Sequence, residues 1–468
     1  MRASSKRYRL AALPLAAAIA VCAAQAHATD SGEADRLRGV LESYLGTPAP
    51  GAPSAVTVTP LGGEYELAID LDRLAAPLAG FGFDLKAGRN LSRLAPKPDG
   101  TWAWRSERFE PISWAFLGRT GRVAVEGWRS EGDFSPALAA FARQTASADR
   151  VVMEQSVPAA DGNPRLDVRR VDEGLALKVA ATPAAAGVDV TVDQTVRTIT
   201  ETFTLSEGTA AGIPDMEATL KVGATSQTAT FAGLRTEALF GLWRRLVAHH
   251  APEDFTTGQG EFKRVLRDLG PLFERMTHHA TLDAVEVETP VGFGSLGRVE
   301  ATIDATGATA RGSADVAVTL KGLSLHSLFI PAWGNQLVPR DVKLHAHASG
   351  WNAAEALAVF LDKADFAAPG GPGPAVEAEM LAKLLPPEGV TIDLAGNGVE
   401  ATGWTVALDG RITAKPTGAE GTVTLRANGV EAVATALRDP AAGEAGRTAA
   451  DQLTLALGSA ENQDGASV

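Results

Sequence analysis

Hydrophobic positions along most of this chain recur at every second residue, the period of a strand with one buried face; in three intervals the spacing lengthens to that of a helix. Val56 and Val58, then Tyr65, Leu67, Ile69 and Leu71, alternate across Gly62-Gly63 and predict a hairpin. Further strand patterns cover Thr101–Trp104, Gly121–Trp128, Leu166–Val171, Leu175–Ala180, Ala218–Ala224 and Thr228–Leu234. The threonine-rich span Val188–Leu205 alternates throughout and would run about 60 Å if unbroken. Long twisted antiparallel strands, or a hairpin-rich curved sheet, would account for it.

The first helical interval, Glu33 to Leu45, carries Leu37, Val40, Leu41 and Tyr44, and the Pro/Gly-rich stretch Thr47–Pro53 ends it. In the centre, Leu239, Leu242, Trp243, Leu246 and Val247 form one stripe, and Phe262, Val265, Leu266, Leu269, Leu272, Phe273 and Met276 form another. Pro252, Gly258 and Gly260 separate them, so an antiparallel helix pair is expected, with Pro271 bending the second member unless it starts a new turn. Strands resume at Leu282–Val287, Gly297–Ile303, Ser313–Leu325 and Val342–Ala348, and a third helical interval spans Asn352–Phe366 and Ala375–Leu385. A glycine-punctuated meander then runs through Val390–Leu394, Gly398–Leu408, Gly410–Lys415, Gly418–Ala427 and Gly429–Leu437, with a last strand at Leu453–Leu457.

This order predicts an α+β fold, predominantly antiparallel β, in which elongated curved sheets wrap or pack on amphipathic helices. The expected regions are a leader at 1–28, a β-rich part at 29–235, a helical insert at 236–281, a second β-rich part at 282–438 with helices near 352–385, and an acidic tail at 439–468. Both halves run strand, helix, strand, which is compatible with a weak internal duplication.

Arg2, Lys6, Arg7 and Arg9 precede an apolar run from Leu10 to Ala24, and the stretch closes on Ala26-His27-Ala28. That is the layout of a secretory signal peptide cleaved after Ala28, because a spanning helix needs roughly 20 apolar residues. The expected location is the periplasm. Cys22 is the one cysteine in the sequence, so cleavage leaves a chain that must be stabilised by core burial without disulfides.

The chain has 468 residues with 43 basic and 56 acidic side chains, a net charge of −13, and loss of the leader takes this to about −17. Such a surface does not provide the positive track that nucleic acid requires and disfavours unaided adsorption to an anionic leaflet. It says little against an apolar ligand held inside a cavity.

Catalytic signatures are absent from the sequence: there is no HExxH, no GxSxG and no phosphate-cradling glycine motif between strand and helix. No catalytic residue, metal ligand or cofactor is assigned. The pairs His249-His250 and His278-His279 are expected near helix ends, where an imidazolium complements the exposed carbonyls. His345 and His347 share one strand face without a third ligand close in sequence, a spacing that suits zinc or two ordinary surface side chains. Asp70 with Asp72, and Glu286 with Glu288, fit the solvated side of alternating strands. Trp102, Trp104, Phe109, Trp114, Phe116 and Trp128 form an aromatic cluster that could fill a core or stack on a ligand.

The segments Gly389-Val390-Thr391-Ile392-Asp393-Leu394 and Gly398 to Gly410, with Leu337-Val338-Pro339, Gly350-Trp351-Asn352 and the closing meander, resemble the DUF2125 family of proteobacterial envelope proteins. The resemblance covers layout over most of the chain after the leader and brings no catalytic signature. That family is similar in outline to AsmA-like proteins, whose long curved sheets are associated with moving lipids between membranes; this chain departs from them in its modest length and its central helices. What the resemblance and pattern together imply is a periplasmic, non-enzymatic lipid-binding protein or carrier with an apolar groove. Trp102, Trp104, Leu239, Trp243, Phe262 and Phe273 are the candidate liners. A lipid or other hydrophobic small molecule, an envelope protein and transient membrane contact are the expected partners, with no nucleic acid. The competing expectations are a structural or interaction module using an edge strand, and a hydrolase with carboxylates brought together by the fold.

Overall fold

The computed structural model describes residues 31–48, 51–159, 164–206, 215–248, 258–328, 330–331, 333–365, 373–459, 462–463 and 466–467. The predicted leader with Cys22 and His27, the pair His249-His250, and Glu253 and Asp254 lie outside these residues. Helix α1 (Ser31–Leu45) buries Ala34, Leu37, Leu41 and Leu45 at helical spacing. The strands of the first half are β1 (Val56–Leu61), β2 (Glu64–Asp70), β3 (Phe83–Lys86), β4 (Arg89–Pro96), β5 (Trp102–Ser106), β6 (Ile112–Phe116), β7 (Arg119–Glu126), β8 (Arg129–Ser135), β9 (Ala140–Val157), β10 (Arg165–Ala184), β11 (Gly187–Val196), β12 (Thr198–Ser206) and β13 (Met216–Leu234). Between β2 and β3 lies the short helix α2 (Leu71–Ala75), capped by Asp70, whose carboxylate accepts from the Arg73 N–H.

After β13 come helices α3 (Thr236–Ala248) and α4 (Gln259–Leu269), then strands β14 (Arg275–Thr289), β15 (Gly292–Thr306), β16 (Gly312–Lys321), β17 (Ser324–Ser327) and β18 (Pro339–Trp351). Helices α5 (Ala353–Lys363) and α6 (Pro374–Leu384) precede β19 (Val390–Asp393), β20 (Asn397–Ala401), β21 (Trp404–Lys415) and β22 (Gly418–Asn428), and the chain ends with α7 (Val430–Leu437), α8 (Gly443–Ser459) and two dipeptide strands. The result is an α+β fold dominated by one antiparallel sheet, 24-stranded among the described residues.

Three expectations need correction. Gly429–Leu437 and Leu453–Leu457 are helical, in α7 and α8; alanine-rich sequence favours helix once no neighbouring strand enforces pairing. The second central stripe does not stay helical through Met276: α4 ends at Gly270, and β14 begins at Arg275, so His278-His279 lie in a strand and cannot cap a helix. Finally, Val188–Leu205 is broken at Arg197 into β11 and β12.

The two halves share the sheet. β13 and β14 pair from Thr219↔Glu288 to Ala232↔Arg275, closing the sheet across the helical insert. Because β13 ends and β14 starts at the same end of the sheet, α3 and α4 sit there, joined by α5 and α6, which follow β18 and precede β19. Consecutive members of the series α1, α3, α4, α5, α6 touch one another.

Two cores hold the molecule. In the first, α1 packs Leu37 and Leu41 on Val56, Tyr65, Leu67, Leu94, Trp102, Trp104, Phe134 and Phe141. The second lies mid-sheet, where Val196, Ile199, Val222 and Val285 pack with Leu175, Leu282, Leu296 and Val299. Its members include pairs three residues apart on one strand, Val196 with Ile199, Leu282 with Val285 and Leu296 with Val299, which regular alternation would send to opposite faces. A transverse crease resolves this. Gly174, Ala284 and Gly322 take left-handed φ of 67°, 50° and 69°, and the chain bends at Arg197, each slipping the alternation by one residue along a line across the strands.

Candidate functional site

Cross-strand register sorts the second half of the sheet into two chemically distinct faces. One row runs Thr277, Asp304, Asp315, His347, Asp393, Arg411 through successive pairings. A second row, five residues along the same strands in β14 to β18, runs Leu282, Val299, Leu320, Val342, Val399, Val406 and points to the other side. The polar face is laced by ion pairs, among them Arg298 with Asp283 and Glu300, Lys321 with Glu300, and Arg411 with Asp393.

The apolar face is only partly covered. Val316 is 40% exposed, Leu344 53%, Val423 46% and Leu425 50%, although each continues an apolar row. At the end of the strands remote from the helices, this face dips into an apolar depression of about 330 Å³ lined by Val285, Val287, Gly292, Gly294, Leu296 and Leu325. Gly292 contributes by what it lacks: a Cβ there would lie 2.5 Å from the His326 carbonyl oxygen. The depression adjoins the second core through Val285 and Leu296.

Polar side chains also enter the same face, His278 and the cross-strand pair Gln194 and Gln227 among them, and one charged group of them adjoins the second core. Arg170 donates two hydrogen bonds to Asp172, at 2.7 and 2.9 Å, and Asp172 is buried. Opposite Arg170 stands Glu201, whose carboxyl is pushed up from its ordinary value by burial, with Arg170 opposing the shift and Asp172 adding to it. Glu201 in turn faces Leu220, which packs on the second core. The face thus offers an extended apolar surface with a polar group at one margin, a combination suited to an amphiphile.

The six liners expected from the sequence do not converge. Trp102 and Trp104 are 2% and 4% exposed in the first core, their rings tilted against Phe134 and Phe141 respectively. Their alternation does place them on one strand face, but α1 covers that face. Trp243 packs against the same core and donates its indole N–H to the Leu45 carbonyl at 3.0 Å. Leu239 lies on α3 and is partly exposed, Phe262 lies on α4, and Phe273 follows α4 with its ring 5.9 Å from Phe231. Missing from the expected set were Val287, Leu325 and Leu344, because each reads in sequence as an ordinary inward strand position.

His345 and His347 do share a face, and the fold supplies the neighbour that sequence proximity did not. Asp315 on β16 hydrogen-bonds His345 Nε2 at 2.9 Å and lies 3.3 Å from His347 Nδ1. His345 Nδ1 also meets the Ala395 carbonyl at 2.9 Å, so both ring nitrogens face acceptors. This arrangement favours the imidazolium and raises its pKa, chiefly through the Asp315 hydrogen bond and then through Ala395. Among the described residues no three His, Cys, Asp or Glu side chains are grouped so as to hold a metal ion. The other carboxylate pairs have structural partners: Asp72 accepts from the Ala87 and Gly88 N–H groups, and Glu288 pairs with Lys221.

Comparison with protein-family models, with curated proteins and with solved structures returned no match for this chain.

Proposed function

We propose that this protein is a periplasmic, non-enzymatic lipid-binding protein or carrier that takes up an acyl-bearing amphiphile on the apolar face of its sheet. The observation that carries this reading is the uncovered part of that face, from the depression at Val285, Val287 and Leu325 to the exposed Leu344 and Leu425. Apolar surface withdrawn from water is worth roughly 25 cal/mol per Å², so one acyl chain laid along these rows would be held firmly. Arg170 and Glu201 supply polar groups for the ligand's hydrophilic end. The resemblance of sequence layout to the DUF2125 envelope family points the same way, and the leader-like N-terminal sequence supports the compartment. A role in envelope lipid trafficking is the biological setting we infer.

The test is to purify the protein from an exporting cell without detergent and identify by mass spectrometry what unfolding releases. Lipid is expected in reproducible stoichiometry. Val287→Asp and Leu325→Asp should each lower uptake of a fluorescent fatty acid at least tenfold while leaving the unfolding midpoint close to that of the parent, since both side chains are partly exposed. A folded protein that releases nothing, or variants that take up the probe as the parent does, would end the proposal.

A further inference from the structure

Among the described strands, outer edges of the sheet fall at β1, at the four-residue strands β3 and β17, and at β22, and the long ones are unlike. At β1, the edge carries Pro60, which offers no N–H, and α1 packs against the strand. At β22, the outer edge has neither protection. Between Gly418 and Arg426 every residue except Thr424 is exposed, and among the described residues the outer edge is paired only at Ala427, by Ser467. The strand contains no proline.

Its sequence is also complementary to itself. Set antiparallel to a second copy and centred on Val423, β22 brings Glu420 opposite Arg426 of the other copy at both ends, Thr422 opposite Thr424, and Gly421 opposite Leu425. Within each chain Lys415 already pairs with Glu420, and Arg426 pairs with Asp409 at 3.0 Å. The pairing therefore forms a charge row that alternates in sign across the join, from Lys415 and Glu420 of one copy to Arg426 and Asp409 of the other, and does so twice.

Other registers lose this. A slip of two residues sets Glu420 against Thr424 or Asn428, and Arg426 against Gly418 or Thr422. A slip of one places the polar face of one copy beside the apolar face of the other. Centred on Val423, the exposed Val423 and Leu425 of both copies fall on one side, continuing the apolar face through the two-fold axis. We propose that β22 is a homodimerisation edge, paired antiparallel over residues 420–426 about Val423. This goes beyond the lipid reading and stands whether or not the apolar face binds a ligand.

Sedimentation velocity over the micromolar range should show a monomer–dimer equilibrium for the exported protein. Glu420→Arg and Arg426→Glu, each setting like charges opposite one another twice, should weaken the dimer at least tenfold, and the double exchange should restore it. Both side chains are exposed, so circular dichroism of the single variants should match the parent. In a Cys22→Ser background, which has no other cysteine, Val423→Cys should form a disulfide-linked dimer under mild oxidation, because directly opposed residues have Cα atoms about 4.5–5.5 Å apart. Leu425→Cys, opposite Gly421, should not. A monomer at every concentration, a dimer indifferent to the single exchanges, or equal cross-linking from both cysteines would overturn the proposal.

Discussion

His345 shows how one side chain can join separate segments of chain. Its ring spans from Asp315 on β16 to Ala395 in the connection between β19 and β20. Beside it, the Asn397 side chain replaces a length of backbone ladder, accepting from the His345 N–H at 2.6 Å and donating to the His345 carbonyl at 2.8 Å. Partial desolvation and then Lys343 oppose protonation of the imidazole, but the two acceptors outweigh them and hold the folded-state pKa above the ordinary histidine value. A raised histidine pKa contributes stability that is complete below the unfolded value and is lost as pH rises through the folded one. The stability deficit of His345→Gln, measured by urea unfolding, should therefore be larger at about pH 6 than at about pH 9. An equal deficit at both would show that the bridge does not depend on the imidazolium.

At the scale of elements, the crease explains why periodicity alone misjudged the long strands. Val188–Leu205 alternates on paper, yet Val196 and Ile199 reach the same core because Arg197 interrupts the strand opposite Gly174. Glycine adopts the required left-handed conformation at Gly174 and Gly322 without steric cost, whereas Ala284 adopts it with a Cβ. Ala284→Gly should accordingly stabilise the protein, by about 1 kcal/mol, since the relieved strain exceeds the added chain entropy. A lowered urea midpoint for this variant would mean that the alanine makes packing contacts worth more than the strain.

For the molecule as a whole, the continuous pairing of β13 with β14 has an energetic consequence. No boundary separates the halves at the helical insert, so neither can expose its strand edge without breaking the ladder from Thr219 to Ala232. Unfolding reported by tryptophan fluorescence, which includes Trp102 and Trp104 in the first core, should coincide with unfolding reported by a dye attached near β21. Two separated transitions would show that the crease or the insert divides the sheet into independent units. The same continuity permits an apolar face to extend over many strands, which two closed domains would not allow.

Local periodicity determined much of this protein. The first hairpin, α1, the helical interval that opens at Asn352, and the strand-rich order of the second half follow from side-chain spacing and glycine turns, which act within a few positions. Trp102 and Trp104 were legible as sharing a face, but spacing carries no information about what covers that face, and only the docking of α1 made it a core. The same limit hid the apolar depression. Val287 and Leu325 come from different strands, and their shared exposure depends on where the helices stop, a property of packing at long sequence separation. The weak strand patterns over α7 and α8 yielded to alanine-rich helix propensity although the outer edge of the preceding β22 was open, so alternation over a few residues did not decide these segments.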